Sequence, residues 1–148
     1  MSDPVIVKER PGGIYTNSVS NGRHLYLADE PESFGSADLG PTPYEYLCAA
    51  LGACTSITLR MYADRKGWSV ENIAVNVTHA KAIHGDGIKR DVFTREVTLT
   101  GELDEAQRAR MIEIANKCPV HRTLEAGSDV ITKAVSYTHL TLPTICSV

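Results

Sequence analysis

Apolar and polar positions along this chain alternate, then cluster, then alternate again, and the pattern predicts its elements in order. Val5 to Arg10 reads as a first strand, followed by a turn at Pro11-Gly12-Gly13. Ile14 to Ser20 and Arg23 to Ala28 read as extended segments joined at Asn21-Gly22, two residues that tolerate positive φ. Residues 30–41 are rich in Pro, Gly, Ser and acidic side chains and read as a surface loop. A long helix follows. Thr42-Pro43-Tyr44-Glu45 supplies a capping hydroxyl, a proline at the first helical position and a glutamate three residues after the cap. The helix is expected to run to Lys66 and stop at Gly67, with Arg65 and Lys66 suiting the negative end of its dipole. Its first four turns are apolar nearly all round, which predicts a buried central helix.

The alternation returns at Ile73–Ile83 and Ile88–Thr100, a second hairpin around His84-Gly85-Asp86-Gly87. Residues 104–117 predict a second helix, with Asp104 as cap and Gln107 three residues on. Met111, Ile114, Ala115 and Cys118 fall on its apolar stripe. Pro119 disfavours helical geometry at Cys118, so the helix should break there and a short one run from Pro119 through Leu124, ended by Gly127. Val130 to Val135 reads as a last strand. Residues 136–148 contain no charged side chain, and an edge strand is one reading of them. They read as a non-native or disordered tail, an expression scar or read-through product, and Cys146 is set aside with them.

The 148 residues suffice for one domain with a real core, assigned to residues 1–135. A formal net charge of −3 gives no electrostatic reason to expect nucleic acid or an anionic membrane as partner. No stretch reads as a signal peptide and no run is long enough to span a bilayer, so a cytoplasmic protein is the expectation. In that compartment four cysteines point to reduced, catalytic or metal-bound thiols rather than a disulfide frame.

Two of these cysteines occupy unlike settings. Cys54 lies in the middle of the apolar helix, and Cys118 lies at a helix boundary far along the chain. A dithiol that attacks a peroxide and then closes a disulfide needs such a pair, provided the two meet in the fold. Cys54 taken alone would be a buried cysteine acting as a small hydrophobe, the role assigned to Cys48. Mid-helix and in apolar surroundings it needs a nearby cation to ionise. Cys118 has more local chemistry, because the N–H groups of a helix starting at Pro119 favour a thiolate at the cap. His121 reads as a packing or surface histidine, and Lys89, Arg90 and Arg95 read as a solvated strand face. A metal site from Cys118 and His121, with or without Cys54, is the rival reading, but two or three ligands fall short of a closed zinc site.

Three segments carry a resemblance: Gly40-Pro41-Thr42-Pro43-Tyr44-Glu45-Tyr46-Leu47, Ala49-Ala50-Leu51-Gly52-Ala53-Cys54, and Lys117-Cys118-Pro119-Val120-His121-Arg122-Thr123-Leu124. With the order of the elements, they make residues 4–135 resemble the OsmC/Ohr family of thiol-dependent hydroperoxide reductases. The resemblance implies an α+β fold of antiparallel sheets around two central helices, in an intertwined homodimer with the active site at the interface. It implies that Cys54 attacks the peroxide bond and that Cys118 resolves the sulfenic acid to a disulfide. A dithiol such as a lipoylated protein would reopen that disulfide, with no metal or organic cofactor. The apolar surroundings of Cys54 favour an organic hydroperoxide over hydrogen peroxide as substrate.

The family also uses an arginine to favour the thiolate and a glutamate to orient it. Counting back from Cys54 without gaps, the glutamate position holds Tyr44, and Glu45 comes one residue later. Glu45 and Cys54 are nine residues apart, roughly 900° of rotation and about 13 Å along the axis, on opposite faces of one helix. Glu45 therefore reads first as the partner of Thr42 in a capping box. Arg10 and Arg23 are the candidate arginines. A slow or inactive peroxidase lacking its activating pair would instead be a redox sensor or small-molecule-binding protein on the same fold.

Overall fold

The computed structural model describes residues 2–135, so the expectation for the tail, Cys146 included, lies outside the described residues. Three short strands, β1 (Ile6–Glu9), β2 (Asn17–Ser20) and β3 (Leu25–Ala28), form one antiparallel sheet in the order β1-β2-β3. Ser20 pairs with Leu25, so the connection is a four-residue turn rather than the two-residue Asn-Gly turn expected. The Asn21 carboxamide accepts the N–H groups of Arg23 and His24 and closes the turn locally.

The long helix α1 (Pro43–Lys66) has the expected ends. Thr42 and Glu45 form a reciprocal capping box, and Gly67 ends the helix in the left-handed region at φ 68°. Strands β4 (Ser69–Ile83) and β5 (Lys89–Glu102) form a second, two-stranded antiparallel sheet. A bulge shifts their register between Val70 and Asn72, opposite Gly101. A Cβ on Gly101 would stand 2.2 Å from the Ser69 carbonyl oxygen, so glycine is required there. Helices α2 (Glu105–Ala115) and α3 (Pro119–Ala126) follow; Asp104 and Gln107 cap the first, and Cys118 caps the second.

α1 packs lengthwise on β4, and α2 and α3 pack on α1. The main core lies at the C-terminal half of α1, where Leu59, Tyr62 and Ala63 meet Met111, Ile114 and Ala115 of α2 and Val70 of β4. Nearer its start, α1 approaches the sheet closely at Gly52, where a Cβ would lie 3.3 Å from a Val77 methyl. The N-terminal sheet is tied to the start of α1. The Tyr46 hydroxyl donates to the Leu27 carbonyl, and the Tyr26 and Tyr46 rings lie 5.7 Å apart. Behind β3 the buried Asp29 carboxylate accepts from the Thr16 and Ser36 hydroxyls and from the N–H groups of Glu30 and Leu39.

Two expectations are corrected. α1 is not buried all round within the chain: Leu51, Thr55, Leu59, Tyr62 and Ala63 form its buried face. Ile57 and Met61 on other faces are 59% and 68% exposed. Val130 to Val135 is not a strand. Val130 and Ile131 are 87% and 80% exposed and pair with no strand edge among the described residues, and a β segment needs a ladder partner to form.

Candidate active site

The two cysteines meet. Pro119 holds Cys118 at φ −64° and ψ 143°, outside helical geometry, and the break turns its sulfur back over the first turn of α3. There the sulfur accepts the His121 N–H at 3.3 Å, as an N-cap side chain does. Cys118 is 0% exposed and sits beneath α1. The Thr55 hydroxyl oxygen lies 3.7 Å from its sulfur, and Cys54, the residue before Thr55 on α1, is near enough to lower the Cys118 thiol. Cys54 is only half-buried, and both thiols are free.

The cation comes from β5. Arg95 Nη1 lies 3.9 Å from the Cys118 sulfur and donates to the Thr55 hydroxyl at 2.9 Å and the Ala115 carbonyl at 3.1 Å. Its Nη2 donates to Asn116 Oδ1 and His121 Nδ1, each at 3.0 Å. One guanidinium thus ties together the middle of α1, the end of α2 and the start of α3. Thr55 has one proton and two acceptors for it, the Leu51 carbonyl at 2.7 Å and the Cys118 sulfur at 3.7 Å. The nearer carbonyl is the stronger claimant.

These contacts set the charge of Cys118. Burial alone would push the thiol up. The His121 N–H, the Thr55 hydroxyl, the Cys54 thiol and the positive charge of Arg95 outweigh burial and hold the thiol below its ordinary value. Cys48, on the same helix, shows the opposite balance. Burial first, and the Glu45 carboxylate second, raise its thiol. Cys118 is therefore the thiol whose surroundings shift it towards the anion, while the neighbouring Cys54 is the one nearer solvent.

The family model described as OsmC-like protein matches residues 35–133. That segment contains both cysteines, Arg95 and His121. The chain belongs to the OsmC-like family. No curated protein sequence matches it. Solved structures match its fold. An OsmC-like protein from Mycoplasma pneumoniae superposes with TM-score 0.70 at 18% identity, covering 84% of this chain and 88% of that one. An OsmC-like protein of unknown function from Vibrio cholerae gives 0.65 at 18% identity, with 84% and 95% covered. An organic hydroperoxide resistance protein OsmC from Legionella pneumophila gives 0.60 at 17% identity, with 81% and 88% covered. The α+β arrangement of three helices and antiparallel sheets is thus that of OsmC-like structures.

Within this OsmC-like chain the other candidate residues lie apart from the cysteines. The Glu45 carboxylate accepts the Thr42 N–H at 2.8 Å and completes the helix cap. The Arg10 side chain is exposed and donates to the adjacent Pro11 carbonyl. Arg23 is exposed in the β2–β3 turn. None of these contacts joins the three to Cys54 or Cys118.

Arg95, read as part of a solvated strand face, is the correction that matters most. Arg90 does lie on the surface, paired with Asp86. Arg95 instead shares the inward side of β5 with Phe93, Val97 and Leu99 at period two, opposite Val77. An arginine at an inward position of an alternating strand was the signal available. His121 Nδ1 and the Cys118 sulfur both face the Arg95 guanidinium, and no group of three or more metal-ligating side chains is found among the described residues.

A cavity of about 470 Å³ adjoins the site. Leu51, Phe93 and Leu124 give it an apolar side, and Arg95, Asn116 and His121 form the wall towards Cys118. Among the described residues no helix is long and apolar enough to cross a membrane.

Proposed function

We propose that this protein is a thiol-dependent peroxidase that reduces organic hydroperoxides. The observation that carries the reading is the placing of two free thiols of unequal exposure at one spot, Cys118 against Thr55 and Cys54 next to Thr55 on the same helix, with Cys118 shifted towards the anion. Membership of the OsmC-like family and a fold shared with an organic hydroperoxide resistance protein support it.

Cys54, the more accessible sulfur, attacks the terminal peroxide oxygen as a thiolate. The O–O bond breaks, the alkoxide leaves and takes a proton as the alcohol, and Cys54 becomes a sulfenic acid. The Cys118 thiolate then attacks the Cys54 sulfur. A disulfide forms and the hydroxyl leaves as water with one proton. The net change is one hydroperoxide reduced to alcohol and water, and two thiols oxidised to a disulfide. A dithiol, of which a lipoyl group is one source, reduces that disulfide by exchange and restores both thiols. The apolar residues that flank Cys54 along α1 suit an alkyl or aryl hydroperoxide better than hydrogen peroxide.

The acting form is a homodimer on this reading. Ile57 and Met61 on α1, and Val130 and Ile131 near the C-terminus, leave apolar side chains uncovered that a second copy would bury. The test is dithiol-dependent turnover of cumene hydroperoxide by wild type, Cys54→Ser and Cys118→Ser. Turnover should vanish with Cys54→Ser and fall with Cys118→Ser, with sulfenic acid accumulating in the second. No turnover by fully reduced wild type, with either a monothiol or a lipoyl dithiol, would refute the peroxidase and leave a sensor or binding protein.

A further inference from the structure

We propose that Arg95 is a catalytic residue of this chain, the charge that holds Cys118 as the anion which closes the disulfide, and that His121 and Asn116 are the positioning residues that hold Arg95 there. The inference rests on the two-cysteine reading and assigns residues to its second step.

Geometry carries it. Cys118 is fully buried, and a buried thiolate without a partner is costly. The groups that face it are the Cys54 and Thr55 side chains of α1, the Arg95 guanidinium of β5 and the His121 N–H of α3. Only Arg95 among them carries a permanent positive charge. Its position is over-determined, because each terminal nitrogen is anchored twice: Nη1 by Thr55 and Ala115, Nη2 by Asn116 and His121. A flexible strand arginine fixed at four points is a preorganised charge, already in place before any peroxide reacts.

The contact with His121 also fixes a tautomer. A guanidinium nitrogen only donates, so His121 Nδ1 must accept and the ring proton must sit on Nε2. Nε2 lies 3.2 Å from a Glu125 carboxylate oxygen, within ion-pair distance. The result is a chain of contacts from His121 through Arg95 to the Cys118 sulfur. Protonating Nδ1 would place an N–H against the guanidinium and release one of its four anchors.

In chemical terms Arg95 serves closure. The first step oxidises Cys54 and needs Cys118 only as a neighbour. The second needs the Cys118 sulfur ionised and close, and its speed decides whether the sulfenic acid closes or meets a second peroxide and is over-oxidised.

The experiment compares wild type with Arg95→Met, Arg95→Lys, His121→Ala and His121→Asn. The reduced proteins are first titrated for thiolate ultraviolet absorbance without peroxide, and the difference from Cys118→Ser assigns the signal. Arg95→Met should raise the pH at which Cys118 ionises by about one unit, a tenfold loss of thiolate in that range. Arg95→Lys should recover part of it. His121→Ala should shift it in the same direction by less, and His121→Asn, whose carboxamide oxygen can replace Nδ1 as acceptor, should restore it.

Single turnover with cumene hydroperoxide then separates the steps. Arg95→Met should slow disulfide closure about tenfold and sulfenic acid formation by clearly less, with more dimedone-trapped Cys54 and over-oxidation at lower peroxide. A folded Arg95→Met protein that titrates as wild type overturns the proposal, and so does equal slowing of both steps. If Arg95→Met does not fold, the paired histidine variants carry the decision. Agreement of His121→Ala with wild type in both titration and closure would overturn it. If wild type does not turn over at all, the peroxidase reading fails, while the titration still decides whether Arg95 sets the charge of Cys118.

Discussion

Replacing Thr55 with valine isolates one hydroxyl at the centre of the site. The side chain is fully buried, and valine keeps its branched shape while exchanging the hydroxyl for a methyl. The hydroxyl oxygen accepts from Arg95 Nη1 at 2.9 Å, so the exchange strips a charged donor of one of its two close oxygens. Hydrogen bonds to charged groups contribute about 1.5–3 kcal/mol, and the Ala115 carbonyl retained by the same nitrogen moderates the loss. The Leu51 carbonyl loses only its second partner, because its helical N–H remains. Valine also removes the cost of burying a hydroxyl, which offsets a further part. The expected net loss is about 1–2 kcal/mol. Serine keeps the hydroxyl and drops one methyl, for a loss of about 1 kcal/mol. Stability alone does not separate the two variants, but the charge of Cys118 does. Urea unfolding combined with thiolate titration should find both variants weakened and Cys118 pushed up only in Thr55→Val. A valine variant as stable as wild type, or a serine variant that shifts Cys118 equally, would refute the reasoning.

Two further outcomes are expected. Glu45→Gln should keep its stability and its cumene hydroperoxide turnover, since glutamine serves equally in a capping box; a tenfold fall in turnover at unchanged stability would make Glu45 part of the chemistry. Asp29 is held well below the usual carboxylate range: burial raises it, but hydrogen bonds from Ser36, Leu39, Glu30 and Thr16 prevail. A depressed folded value means that its stabilisation is complete at neutral pH and fades as pH falls below about 4. Asp29→Asn should be less stable at pH 7, and its stability should fall less steeply than that of wild type through the acid range; parallel stability–pH curves would count against the carboxylate.

What was legible in the sequence was what local chemistry decides. The ends of α1 are written in Thr42, Pro43, Glu45 and Gly67, whose capping and left-handed preferences act within a turn of the chain. Pro119 breaks the helix at Cys118 by a steric clash with the preceding residue, and the N-cap role follows from that. What escaped depends on distant partners. The alternating β residues at 130–135 have no ladder without a neighbouring edge, so pattern alone could not make them a strand. Likewise the apolar girth of α1 is covered on one face only within the chain, although the pattern shows no preferred face. Arg95 was missed for a different reason. Its charge suggests solvent while its parity points inward, and a strand alternates whatever residue occupies the position, with Phe93, Val97 and Leu99 marking the inward side of β5.

The inward arginine also explains how two neighbouring thiols can take unlike parts on the proposed reading. A peroxide must reach a sulfur along its O–O axis, which favours Cys54 over the fully buried Cys118. A resolving thiol needs no such access, because its target is delivered by the adjacent helix. It does need charge, and burial works against charge unless a cation is buried with it. Were Arg95 to act only in packing, Val or Leu at this β5 position would fill the space without the cost of desolvating a guanidinium. Four anchors on one side chain, all converging beside a buried sulfur, are better accounted for by electrostatics than by volume. Exposure therefore selects the attacking cysteine and nearby charge selects the resolving one, so a variant can slow the second step more than the first.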